Sequence, residues 1–163
     1  MLVFNPGEQA RFSTFEKQCY RGIAPTLSEV TAVYGYKTTK AWMMAQLFNL
    51  SEFTNKRNIL SNDLIEELSE LIINRYHYLK LTEMMLFFFR LKNSDYEEFF
   101  GEVSTMMITR SLKTFLRDRN IAHEKYDNED RAALLEKEIQ NGISREEYEK
   151  GVAEGRYKRY DGT

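Results

Sequence analysis

The chain has 163 residues, 42% hydrophobic and 29% charged, with a formal net charge of −2. That length and composition suit one packed domain and exclude a disordered chain, while the near-neutral charge excludes a protein that coats nucleic acid through a global positive field. Cys19 is the only cysteine, which excludes an intrachain disulfide and a cysteine-built zinc centre. Residues 1–10 lack the basic and apolar stretches of a secretory signal. The longest apolar block, Met84 to Phe89, is too short to span a membrane, so the expected location is the cytoplasm of its own or a host cell.

Asn5-Pro6 is a good helix opening, because Asn accepts an amide hydrogen bond and Pro already holds a helical φ. A first helix is predicted from about Gly7 to Tyr20, with Phe12, Phe15 and Cys19 on one face and Gly22 and Pro25 closing it. Thr26-Leu27-Ser28-Glu29 has the capping-box pattern and opens a short helix that Gly35 stops. Thr38 or Thr39 is the predicted cap of the next helix, which turns Trp42, Met43, Leu47 and Phe48 to the core and breaks at Asn49-Leu50-Ser51. Ser61 opens a longer helix with Leu64, Ile65, Leu68, Leu71, Ile72 and Tyr76 as its apolar stripe.

Thr82 starts a helix that is apolar on nearly every side through Phe89, the pattern of a central, buried element. Residues 93–101 read equally as a helical turn or as a small aromatic hairpin. Ser104 or Thr105 caps a helix through at least Arg119, with Ile108, Leu112, Phe115 and Leu116 inward. After Asn120 charges of both signs dominate, and two peripheral helices are expected, broken at Asn141-Gly142, the second opened by a Ser144–Glu147 capping box, with a frayed end beyond Gly155. The expected fold is all-α: a helical core domain over 1–120, with a possible short aromatic hairpin near 95–101, and a charged, peripheral helical tail over 121–163.

No residue pattern points to catalysis, a metal or a cofactor. His77 and His123 lack a second ligand at metal spacing, Cys19 reads as a buried and inert thiol, and no phosphate loop, GxSxG elbow or HExxH is present. Two features rise above this background. The helix–Gly–helix over residues 26–48 has the size of a helix-turn-helix, with Lys37 and Lys40 where a recognition helix begins, although ordinary packing produces such pairs too. Arg110, Lys113 and Arg117 are spaced i, i+3, i+7 on the face opposite the apolar stripe, and Arg90, Lys92 and Arg119 are candidates to extend them into a basic patch that neutralises phosphates. The plainer reading of the same face is a salt-bridged surface served by Glu98, Glu102 and Asp118.

The stretch from Tyr78 to Lys92, Tyr-Leu-Lys-Leu-Thr-Glu-Met-Met-Leu-Phe-Phe-Phe-Arg-Leu-Lys, resembles the core of a domain-of-unknown-function family carried by phages and mobile elements of gut anaerobic bacteria. Leu47 to Phe53, Tyr34-Gly35 and the helix around Arg110–Arg119 resemble it as well, so the similarity covers roughly residues 26–120. Where that family carries glycines, this chain has Asn93-Ser94-Asp95 and a run of acids. The resemblance supplies no activity. Its layout of helical body, basic helix and charged tail is similar to that of phage replication accessory proteins such as helicase loaders. It implies a non-enzymatic accessory protein of a bacterial or phage-infected cell that works by binding, with a replicative helicase or initiator as protein partner and nucleic acid as a second ligand. The alternatives are a DNA-binding transcriptional or host-takeover regulator acting through 26–48, and a structural or self-assembling protein.

Overall fold

The computed structural model describes residues 2–54, 59–96 and 103–159. They form an all-α fold whose helices are α1 (Gln9–Phe12), α2 (Glu16–Arg21), α3 (Leu27–Tyr34), α4 (Tyr36–Thr54), α5 (Asn62–Arg75), α6 (Leu81–Lys92), α7 (Thr105–Asn141) and α8 (Arg145–Ala153). The chain divides into two compact units, Met1–His123 and Glu124–Thr163.

In the first unit α6 is the hub. Met84, Met85, Leu86, Phe87, Phe88 and Leu91 are all buried, and α1, α2 and α4 pack around them. The aromatic residues interlock: the Phe87 ring stands 5.2 Å from Phe88 and 5.6 Å from Phe115 of α7, close enough for favourable edge and tilted contacts. Phe115 also reaches Tyr20 at 6.2 Å, so α7 joins this core through its large side chains. An antiparallel bridge between Thr26 and Lys80 ties the starts of α3 and α6 together. Around it Leu27 N–H donates to Leu79 O at 2.9 Å and Leu81 N–H to Pro25 O at 2.9 Å.

Local capping chemistry sets several of the boundaries. The Thr26 hydroxyl and Glu29 carboxylate form a complete capping box on α3, Gly35 ends that helix at φ 83° in a region costly for side chains, and the Ser61 hydroxyl caps α5. Elsewhere packing overrides the local reading. The predicted first helix is broken by a 3-10 turn over Ser13–Phe15. Thr39 does not cap α4: the helix starts at Tyr36, and the buried Thr39 hydroxyl donates to Gly35 O at 3.3 Å. Nor does α4 break at Asn49-Leu50-Ser51, because Leu50 and Ser51 are both fully buried and the helix continues to Thr54; Phe48, expected inward, is 41% exposed. On α5, Leu64 and Leu71 lie at the margin while Ile73 takes a core position. Thr82 is the second residue of α6, not its cap; the Lys80 N–H is capped by Glu83 Oε2 at 2.8 Å. The hairpin proposed near 95–101 falls mostly outside the described residues.

The helix predicted through at least Arg119 runs on without interruption to Asn141, so it and the first of the two expected tail helices are one element, and the break falls at Asn141-Gly142 as expected. No Gly or Pro interrupts Thr105 to Asn141, so nothing local stops propagation. In the second unit the Ser144–Glu147 capping box opens α8 as expected. Expected to be frayed, the stretch just beyond Gly155 is folded back at Arg156 and Tyr157, since Arg156 N–H and Tyr157 N–H both donate to Gly151 O and the Tyr157 ring stacks on Tyr148 at 6.0 Å. A Cβ on Gly151 would lie 2.1 Å from the Tyr157 ring, so only glycine admits this contact. Within the second unit Asn128 to Glu147 are exposed, including Leu134, Leu135, Ile139 and Ile143.

Candidate nucleic-acid interface

The basic helix α7 is set by its cap and its core face. Ser104 Oγ accepts from Met107 N–H at 3.1 Å, and the buried Ile108, Leu112 and Phe115 fix the rotation of the helix. That rotation puts Arg110, Lys113 and Arg117 on the exposed side. Arg110 reaches Met106 Sδ at 3.5 Å, while among the described residues Lys113 and Arg117 have no ion-pair partner.

The other three candidate cations are turned inward onto partners in the first unit and do not extend this row. Arg90 is paired with Glu16 at 2.7 Å and donates to the Tyr20 hydroxyl at 3.2 Å. The Lys92 ammonium donates to Asn49 Oδ1 and stands 5.4 Å over the Phe53 ring; burial lowers its pKa. Arg119 Nε donates to Glu83 Oε1 at 2.6 Å, with its guanidinium 5.9 Å over the Tyr78 ring. The sequence spacing marked these cations as basic but not as spoken for, because their partners lie 74, 43 and 36 positions away for Arg90–Glu16, Lys92–Asn49 and Arg119–Glu83.

Glu83 is the polar centre of the first unit. It is fully buried, caps α6 through Lys80 N–H at 2.8 Å and receives Arg119. His123 Nε2 lies 4.0 Å from the same Glu83 Oε1 without a hydrogen bond, beside the Tyr20 ring at 5.8 Å. Burial first, and then the Arg119 charge, hold the His123 pKa below its ordinary 6.5. As pH falls the unfolded chain takes up this proton before the folded one, so the contribution is complete above pH 6.5 and is lost through the lower folded pKa. The urea midpoint of the wild type should therefore fall between about pH 7.5 and about pH 5.5 more than that of His123→Asn. Parallel pH profiles for the two proteins would contradict this assignment.

The helix-turn-helix residues fare differently. Lys40 donates to the carboxylates of both Glu66 and Glu70 on α5, the latter at 2.6 Å, and those partners raise its pKa. The start of α4 therefore offers Lys37 as its exposed cation. Cys19 has the character expected of it: its buried thiol donates to Phe12 O at 3.2 Å, and burial pushes it up to about 12.

Sequence reasoning missed the polar joints. Lys80 Nζ donates to Tyr20 O at 2.8 Å and Gly22 O at 2.7 Å, and Thr82 Oγ1 donates to Cys19 O at 2.9 Å, together satisfying the carbonyl end of α2. At the other end of the unit, Gln46 Nε2 and Trp42 Nε1 both donate to Phe4 O, at 2.9 and 2.7 Å, while Gln46 Oε1 accepts from the buried Gln9 at 2.6 Å. The only available signal was a polar residue within an otherwise apolar helical face. Among the described residues no group of three or more His, Cys, Asp and Glu side chains is placed to hold a metal ion, and no helix is long and apolar enough to cross a membrane.

A model for a family of unknown function, DUF6633, matches residues 62–161. The match begins with α5 and includes α6, α7 and α8, so it extends past the 26–120 stretch of the resemblance and leaves residues 26–61 outside. No match to the chain was found among the curated proteins or among the solved structures. Because the matched segment is more than half of the chain, the protein belongs to the family of unknown function DUF6633.

Proposed function

We propose that this protein is a non-enzymatic accessory protein of a phage or mobile element that works by binding nucleic acid in DNA replication, beside a replicative helicase or initiator. The observation that carries the reading is the row Arg110, Lys113 and Arg117 on the solvent side of α7. Three cations at i, i+3 and i+7 on a helix held by Ile108, Leu112 and Phe115 form a rigid comb that phosphate oxygens can meet without a loop having to order first. The chain's net charge of −2 leaves this local row, and not a global field, to supply the attraction. The regulator reading through 26–48 is the weaker one, because Lys40 is committed to Glu66 and Glu70.

The test replaces Arg110, Lys113 and Arg117 together by Glu. Binding to single- or double-stranded DNA should be abolished while the far-ultraviolet circular dichroism spectrum is retained, and Lys37→Glu should change affinity by less than about threefold. Loss of binding in Lys37→Glu, with preference for one duplex sequence, would transfer the function to the α3–α4 pair. Unchanged binding in the triple variant would remove α7 from the interface.

A further inference from the structure

A groove of about 310 Å³ runs between α5 and the first turns of α7, lined by Leu64, Glu67 and Leu71 on one side and by Met106 and Thr109 on the other. Leu64 is 41%, Leu71 42% and Met106 65% exposed, a cluster of large apolar side chains left in water. The two lips of the groove carry opposite charge. Glu67 stands on the α5 lip. On α7, Lys113 follows Thr109 by four residues, a step of about 40° round the helix, and so stands on the rim above the groove. Among the described residues neither Glu67 nor Lys113 has an ion-pair partner.

We infer that this groove is the contact surface of a two-fold homodimer, with its occupant the same face of a second copy. A surface with an apolar floor, an acidic lip and a basic lip is complementary to itself. A two-fold axis running along the groove sets α5 of one copy over α7 of the other, burying Leu64 and Leu71 of each copy against Met106 of the other and turning each Glu67 towards the second copy's Lys113. An axis across the groove would set acid on acid and base on base, so the charges choose the first arrangement. The pairing goes beyond the nucleic-acid reading and does not depend on it. It engages the groove edge of the basic row, while Arg117, a further step of about 40° round α7, stays outside.

The experiment is sedimentation velocity on the full chain without nucleic acid, across a protein concentration series from about 1 to about 100 µM, which brackets a typical weak dimer. The wild type should shift from monomer to dimer. Leu71→Glu should remain monomeric with an unchanged circular dichroism spectrum, since Leu71 is already partly exposed. Glu67→Lys and Lys113→Glu should each raise the dissociation constant about tenfold or more, and an equimolar mixture of the two should recover the dimer, because both lip pairs are then again of opposite sign. A wild type that stays monomeric to the top of the series would overturn the proposal, as would a dimer indifferent to Leu71→Glu or a mixture that fails to recover. A monomer that captures a foreign helical segment in the groove counts against it equally. The readout is association alone, so a failure here leaves the DNA result intact, and the reverse also holds.

Discussion

Phe88→Ala is expected to destabilise the first unit by about 3–5 kcal/mol, the cost of removing a large aromatic side chain from a closed core. Phe88 is fully buried and its ring touches Phe87, which in turn carries the contact to Phe115 on α7. A cavity at this point cannot collapse easily, because α1, α2 and α4 all rest on α6 and would have to move together. Urea denaturation measures the effect. A loss below about 1 kcal/mol would mean that α6 does not organise the core.

Glu83→Ala should cost a comparable amount for an electrostatic reason. The carboxylate is fully buried and holds both the Lys80 N–H at the start of α6 and the Arg119 guanidinium, at 2.8 and 2.6 Å. Removing it uncaps the helix and leaves Arg119 without its counter-ion, and breaking one partner out of a buried pair costs about 3–5 kcal/mol. Arg119 keeps a side-chain exposure of 20%, which places the loss towards the low end of that range. Replacing both Glu83 and Arg119 by Met should cost much less than the sum of the single changes, because no charge is then left buried alone. A double-mutant cycle that is additive within about 0.5 kcal/mol would show that the two side chains do not depend on each other.

What could be read from the sequence was what local chemistry decides. Thr26, Ser61 and Ser144 each announce a helix start because the cap closes within three residues, and the unbroken apolar run of α6 declares burial without reference to any partner. What could not be read depends on distant residues. Thr39, Leu50 and Ser51 resemble helix-terminating positions until the neighbouring helices bury them inside α4. The candidate site divides on the same line. The exposed side of Arg110, Lys113 and Arg117 follows from the spacing of Ile108, Leu112 and Phe115 on their own helix. The commitments of Arg90, Lys92, Arg119 and Lys40 are made to carboxylates and an amide that only the tertiary fold brings near. The break at Asn141-Gly142 was legible, but the continuity of α7 past Asn120 and the return of Tyr157 onto Gly151 were not, the first because a change to mixed charge was taken as a change of element and the second because a chain end was expected to fray. Charged residues such as Glu and Lys are good helix formers, and a stacked tyrosine needs only a glycine to receive it.

The most direct measurement of the central claim is the salt dependence of DNA affinity for the unmodified protein. Fluorescence anisotropy with a labelled duplex, titrated between about 20 and about 300 mM salt, reports the number of phosphates neutralised through the slope of log K against log salt. A comb of Arg110, Lys113 and Arg117 predicts a slope of up to about −2.7 per bound monomer on duplex DNA, at most three contacts at about −0.9 each, with little preference between sequences. No binding at the lowest salt, or an affinity that does not change across the titration, would contradict the assignment of this helix to nucleic acid.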